Sequence, residues 1–297
     1  MKCLAVNTTA PCTTSYLDVD IGEPLNDEAV VDVSYSAICR TDFSVIDGSL
    51  IYYRNGHAKY PIITGHEWVG ICEGTPVVGL CIIGCDKCRH CLAGNPIYCD
   101  NRIETGVVNK NGGHAQKVIM PRKALLEVPE ASAKFAMVEP MAVAVRGFRR
   151  LNPSKSDKIL INGYGSIGKM FGRVLMSHGY AFDFYDIRYN RYCNWDGYNV
   201  FIESSGGKFS LKKMLNNKGC RILAYGFEYS PLDVNNCVAN EITILTSLGS
   251  DKSDFQEAID IVTDANLQDF EMHNLSNFNA GLERAKMGNK VVFNNKL

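Results

Sequence analysis

Between Cys81 and Cys99 the chain reads C-IIG-C-DK-C-RH-C-LAGNPIY-C, which sets Cys85, Cys88, Cys91 and Cys99 in a C-x2-C-x2-C-x7-C array. No other feature restricts the fold as much. Cysteines two residues apart lie too close for an unstrained bridge to each other, but their thiolates converge readily on one tetrahedral ion, which is what a closed structural zinc site requires. A disulfide cluster is the alternative. Of the other cysteines, Cys3, Cys12, Cys72, Cys81, Cys193, Cys220 and Cys237 have no partner-like spacing and read as buried thiols.

The chain has 297 residues, 46% of them hydrophobic, enough for about two domains with real cores. Disorder and coiled coil are excluded. With 31 Lys+Arg against 32 Asp+Glu the net charge is −1, so there is no general electrostatic pull toward nucleic acid or an anionic membrane. Small neutral partners fit better. The longest apolar run, Val77 to Cys85, is far below the ~20 residues that span a bilayer, and the N-terminal Met1–Val6 lacks the pattern of a secretory signal. The expectation is a cytoplasmic chain.

Pattern divides the sequence near residue 145. Ala29–Tyr35 alternates at the strand period, and Val77–Leu80 and Ala115–Ile119 read as further strands of a β-rich first half. From Ala136 to Phe148 the chain turns Ala-rich and helix-like. Beyond it Lys158–Asn162, Ala181–Asp186, Val200–Glu203, Arg221–Tyr225 and Ile242–Ser247 read as strands, with a helix over Ile167–His178. That alternation predicts an α/β unit with a parallel sheet and helices on its faces.

The strand Ile159–Asn162 runs into Gly163-Tyr164-Gly165-Ser166-Ile167-Gly168, a G-x-G-x-x-G that opens a helix. Glycines permit the tight turn and close backbone approach, and the helix N-terminus faces a dinucleotide pyrophosphate. Asp186, at the end of the next strand, is placed to accept from the ribose hydroxyls of NAD and to repel the 2′-phosphate of NADP. Arg188 and Arg191 lie close enough to blur that choice, and Arg191 is a candidate cofactor residue. An ordinary glycine turn with a surface Asp is the plain alternative.

Three further segments carry metal-binding types: Cys39-Arg40-Thr41-Asp42, Gly65-His66-Glu67 and Val138-Glu139-Pro140. Cys, His and Glu are ligands of open zinc sites, in which three side chains leave a position for water or substrate. Singly each is weak, since a lone Cys or His is more often core, and Glu139 before a proline could simply favour a helix start.

In their order along the chain, A-I-C-R-T-D, G-H-E-W-V-G, the cysteine array, V-E-P-M-A-V-A-V, G-Y-G-S-I-G, F-I-E-S-S-G and K-G-C-R-I-L-A-Y-G-F resemble the medium-chain zinc-dependent alcohol and polyol dehydrogenase family. The resemblance implies a GroES-like β-rich catalytic domain over 1–145, to which 268–297 returns. It also implies a doubly wound Rossmann NAD-binding domain over 146–267. Two zinc ions per chain follow from it, as does NAD as cofactor. Cys39, His66 and Glu139 would ligate the catalytic zinc, with Glu67 as an alternative or exchanging ligand. Cys85, Cys88, Cys91 and Cys99 would hold the structural one. Thr41 would relay the substrate proton, Asp42 would orient the metal's surroundings and Arg40 would reach the pyrophosphate unless it is merely a surface arginine. Gly163, Gly165, Ser166, Ile167, Gly168, Asp186 and Arg191 would bind the cofactor.

Within the family the G-H-E-W, cysteine-array and V-E-P-M-A-V-A segments look most like dehydrogenases of 2-deoxy-scyllo-inosamine and related cyclitols and sugars. A polyhydroxylated small-molecule alcohol is therefore the expected partner, and Tyr52–His57 either lines the pocket rim or forms an exposed loop. Threonine-type chemistry and a non-catalytic derivative are the competing readings. The pattern also departs from the family. Only fourteen residues separate Gly70 from Cys85, and thirteen separate Asp186 from Val200, too few for another strand, helix and crossover. The nucleotide domain is thus expected to be shortened between 187 and 199, without its usual edge strand. The resemblance implies a homodimer or homotetramer, paired through Glu241–Ser247 if that strand lies at the sheet edge and is not interior.

Overall fold

The computed structural model describes residues 1–189, 194–206, 210–226, 229 and 231–296. They form two compact units, one of Met1–Glu139 with Ser250–Leu297 and the other of Pro140–Gly249. No helix among the described residues is long and apolar enough to cross a membrane.

The axis of the first unit is the strand Glu28–Ala37, whose Ala29, Val31 and Val33 alternate inward. One of its edges pairs antiparallel with Glu67–Cys72; the other pairs with Lys117–Pro121 along its first half and Val291–Asn294 along its second. The register slips between Val33 and Tyr35, a bulge whose Ser34 carbonyl accepts from the Asn295 amide. Thr75–Gly79, Leu125–Glu127 and Glu271–Asn274 complete the seven-stranded sheet. Its core gathers Val31, Val33, Trp68, Val77, Val118 and Met120, each side chain contributing about 1.5–3 kcal/mol on burial.

Among the described residues the second unit is a five-stranded, all-parallel sheet in the order Asp183–Tyr185, Ile159–Asn162, Val200–Glu203, Arg221–Ala224, Thr243–Thr246. Its central strands are continuous apolar runs, as burial on both faces demands. Phe201, Ile222, Met214 and Trp195 fill one side. Asp183–Tyr185 and Thr243–Thr246 are the edges, and no strand among the described residues lies between Tyr185 and Val200.

The unit limits fall at 139/140 and 249/250, where pattern had put them near 145 and 267. The reason is tertiary. Helix Val138–Leu151 starts in one unit and ends in the other, with Pro140 tolerated in its first turn. Helix Lys252–Asp264 packs on the 3-10 turn Ala133–Met137 of the first unit, a contact that periodicity cannot show.

Candidate metal centres and cofactor loop

Strand register assembles the first centre. Ala37 lies opposite Glu67, so Cys39, two residues beyond the strand end, meets His66 and Glu67 at the start of the neighbouring strand. The thiolate, imidazole and carboxylate ligand atoms of these three residues lie within 4.8 Å of one another. Gly65 (φ +97°) makes the approach possible, because a Cβ there would stand 2.7 Å from the His114 ring. His66, Glu67 and Glu139 are buried and Asp42 is completely so. Glu139 stands outside the 4.8 Å group but within its field. Burial pushes the Glu139 carboxyl up to about 7, with His66 and Lys290 opposing and Glu67 and Asp42 adding to the rise. Burial alone would make His66 hard to charge, yet Cys39, Asp42 and Glu139 hold its ring well above the ordinary imidazole range.

Such a pocket is buried and rich in carboxylates, and its donors are those that zinc takes. The His66 Nδ1 has no hydrogen-bond partner among the described residues and lies 3.7 Å from Asp42 Oδ1. Asp42 is fixed by the Cys39 amide, which donates to Oδ2 at 2.8 Å, and by the Gly65 amide, which donates to Oδ1 at 3.2 Å. The Thr41 hydroxyl lies 3.8 Å from Cys39 Sγ. Arg40 is exposed at the helix start.

Lys290 is a residue that sequence reading passed over. It precedes strand Val291–Asn294, and its buried ammonium donates to Glu67 Oε2 and, at 3.0 Å, to the Ile38 carbonyl. Burial opposes its charge, but Glu67, then Cys39 and Asp42, hold its pKa above the usual lysine value. The one available signal was a lysine set against the buried run Val291-Val292-Phe293.

The four-cysteine array also converges, with Sγ atoms of Cys85, Cys88, Cys91 and Cys99 within 4.8 Å of one another. Every cysteine among the described residues is a free thiol, these four included. Local structure does the gathering. Cys88 caps the short helix Arg89–Leu92 and accepts from the Cys91 amide at 3.5 Å, and the turn Pro96–Tyr98 delivers the buried Cys99. Backbone amides of Lys87 and Cys88 pull the Cys85 thiol down to about 6, whereas burial pushes Cys91 up to about 12.

In the second unit the glycine loop forms the expected strand-turn-helix. Gly163 (φ +87°) leaves no room for a Cβ, which would meet the Ser205 amide at 2.5 Å, and Gly165 caps the helix Ser166–Ser177. Asp186 comes to this loop, where the Tyr164 amide donates to its Oδ2 at 2.9 Å. It is not, however, the open carboxylate that the sequence suggested. Arg188 clasps it with Nε to Oδ1 at 2.8 Å and Nη2 to Oδ2 at 2.6 Å, holding its carboxyl below the usual range. Arg191 lies outside the described residues. Glu203, missed earlier, is fully buried and accepts from Ser205 and Gly206 amides and from Asn162, tying the two loops together.

Comparison with known proteins agrees with this geometry. Residues 25–130 match the family described as Alcohol dehydrogenase GroES-like domain. The chain is 29% identical over 181 residues to D-arabinitol dehydrogenase 1 of Uromyces fabae, covering 57% of this chain and 50% of that protein. It is 27% identical over 187 residues to L-threonine 3-dehydrogenase of Francisella tularensis subsp. mediasiatica, covering 59% and 52%. The chain thus spans about half the length of the curated relatives it matches. Among solved structures, acetophenone reductase from Geotrichum candidum in complex with NAD shares the fold, with a TM-score of 0.87 at 20% identity over 99% of this chain and 97% of that one. Residues 25–130 thus match a GroES-like domain of the alcohol dehydrogenase type, the second unit is a Rossmann-like parallel sheet, and the fold is that of the acetophenone reductase structure.

Proposed function

We propose that this protein is a zinc-dependent, NAD(P)-linked oxidoreductase acting on a secondary alcohol of a polyol, sugar or cyclitol. The observation that carries the reading is the convergence of Cys39, His66 and Glu67 in a buried pocket rich in carboxylates, separate from the closed four-cysteine centre. Cys39, His66 and Glu139 would hold the catalytic zinc, with Glu67 exchanging, and Cys85, Cys88, Cys91 and Cys99 the structural one. When bound, zinc supplies a Lewis acid that lowers an alcohol's pKa, and the nicotinamide supplies the hydride acceptor. The chain's own residues do the rest. The Thr41 hydroxyl, near Cys39, can accept the alcohol proton and donate its own onward. Lys290 offsets the charge of Glu67, which would otherwise be buried without a cation.

Zinc per chain and NAD-linked turnover on a panel of polyols, cyclitols and L-threonine test the reading. Two zinc ions and polyol turnover support it. Turnover confined to threonine moves the substrate to the class named for the Francisella tularensis relative, and metal without turnover on any of these refutes the catalytic assignment.

NAD is the preferred cofactor in this reading: Asp186 stands just past the strand Asp183–Tyr185, and a ribose diol would bind its carboxylate in competition with Arg188. Asp186→Ser is expected to lower the NAD:NADP ratio of kcat/KM by about tenfold, one charge-assisted hydrogen bond's worth of discrimination. Equal or better use of NADP by the unmodified protein would overturn the assignment and point to Arg188.

Assembly as a homodimer or homotetramer belongs to the same proposal. Thr243–Thr246 is an edge strand with Ile244 and Leu245 half-buried, and isologous pairing would cover both copies at once. Leu245→Lys is expected to shift the oligomer toward monomer in light scattering. A native mass of 32.9 kDa for the unmodified chain would count against the idea.

A further inference from the structure

His114 has no part in the site as built so far, yet the first unit is arranged around it. It is completely buried, and its segment is pinned by backbone bonds from Gly113 to Gly65 and from His114 to Thr64. Phe278 and Phe293 pack on its ring at centroid distances of 5.2 and 5.7 Å. Its Nδ1 lies 3.0 Å from Ser36 Oγ and its Nε2 3.6 Å from Asp42 Oδ2.

The hydrogen-bond directions can be followed from the far end. Asn295 Nδ2 donates to the Gly113 and Ala115 carbonyls, both at 2.8 Å, which fixes the amide and turns Oδ1 toward Ser36. Ser36 spends its single proton on that Oδ1, at 2.9 Å. Its oxygen can then only accept from the ring, so His114 Nδ1 is a donor. Nε2 is left with no hydrogen-bond partner among the described residues and is aimed at a carboxylate that is itself fully buried. A bare Nε2 would set a lone pair against Asp42. With a proton there, the ring adds to the support that the Cys39 and Gly65 amides and the neighbouring His66 give this buried carboxylate.

We propose that His114 is a positioning residue for the Cys39–His66 metal centre. Held by Ser36, Phe278 and Phe293, it presents an Nε2 proton to Asp42, and Asp42 in turn fixes the Cys39 amide and stands beside His66 Nδ1. The proposal rests on the catalytic-zinc reading above.

The test is zinc affinity of the full chain, measured by chelator competition, for the unmodified protein, His114→Phe, His114→Gln, Asp42→Asn and the Asp42→Asn/His114→Phe double variant. Phenylalanine keeps the ring packing without a donor, whereas glutamine restores a donor toward Asp42. His114→Phe is expected to weaken the catalytic ion about tenfold and to shift the visible bands of the cobalt-substituted protein. His114→Gln should stay within about twofold of the unmodified chain, and the double variant should be no weaker than Asp42→Asn alone. Unchanged affinity in His114→Phe, equal losses in the Gln and Phe variants, or additive losses in the double variant would overturn the proposal. If His114→Phe does not fold, His114→Asn replaces it, since asparagine reaches Ser36 but not Asp42; Gln binding tighter than Asn supports the role and equality overturns it. An unmodified chain that binds zinc only at its four cysteines overturns the catalytic-zinc reading itself, a result distinct from all of these.

Discussion

His66→Ala is expected to lower kcat/KM for an alcohol substrate by roughly a thousandfold and to leave one zinc ion per chain in place of two. His66 is the nitrogen donor of a pocket whose other donors are Cys39 and carboxylates, and without it the ion is lost or held in the wrong geometry. Lewis-acid stabilisation is worth several kcal/mol, and about 4 kcal/mol is three powers of ten in rate. The fold should survive, because the four-cysteine lobe and the sheet do not depend on that side chain. Retention of both zinc ions together with full turnover would sink the assignment of the centre.

Cys88→Ser should act in the opposite manner, on stability before chemistry. Cys88 both caps its helix and supplies one of four converging thiols, so the variant removes a ligand and a cap together. Binding free energy at a closed zinc site is folding free energy, on the order of 10 kcal/mol in isolated zinc-finger peptides. Less than half of that, about 4 kcal/mol, would lower Tm by about 10 °C. Limited proteolysis should then cut within 85–99. Chelators should strip the open centre first, abolishing activity with little unfolding, and this lobe last. A Cys88→Ser protein with unchanged Tm and zinc content would rule out a structural ion there.

The parts legible in the sequence are those whose geometry is local. Four thiolates on one ion impose a spacing that can be read from the residues between Cys85 and Cys99, and a phosphate loop must be Gly163-Tyr164-Gly165 followed at once by a helix. Cys39 and His66 could be nominated by type, but only the strand register, with Ala37 opposite Glu67, brings them together. Lys290 and His114 were invisible because their partners are remote: Lys290 reaches Glu67 through the seating of Val291–Asn294 beside Glu28–Ala37. Arg188 is the converse case. It stands two residues from Asp186, yet proximity in sequence does not say that its guanidinium turns back onto that carboxylate.

The chain contains two tryptophans, and the fold gives one to each unit. Trp68 is buried among Val31, Val33 and Met120 in the first, and Trp195 sits against Tyr185 and Phe201 in the second. The intrinsic fluorescence of this protein is thus a two-channel signal. With Trp195→Phe the remaining emission follows the unit of the two candidate metal centres alone, and with Trp68→Phe it follows the parallel sheet, so the response to a chelator and the response to a nucleotide can be watched separately in one unlabelled molecule.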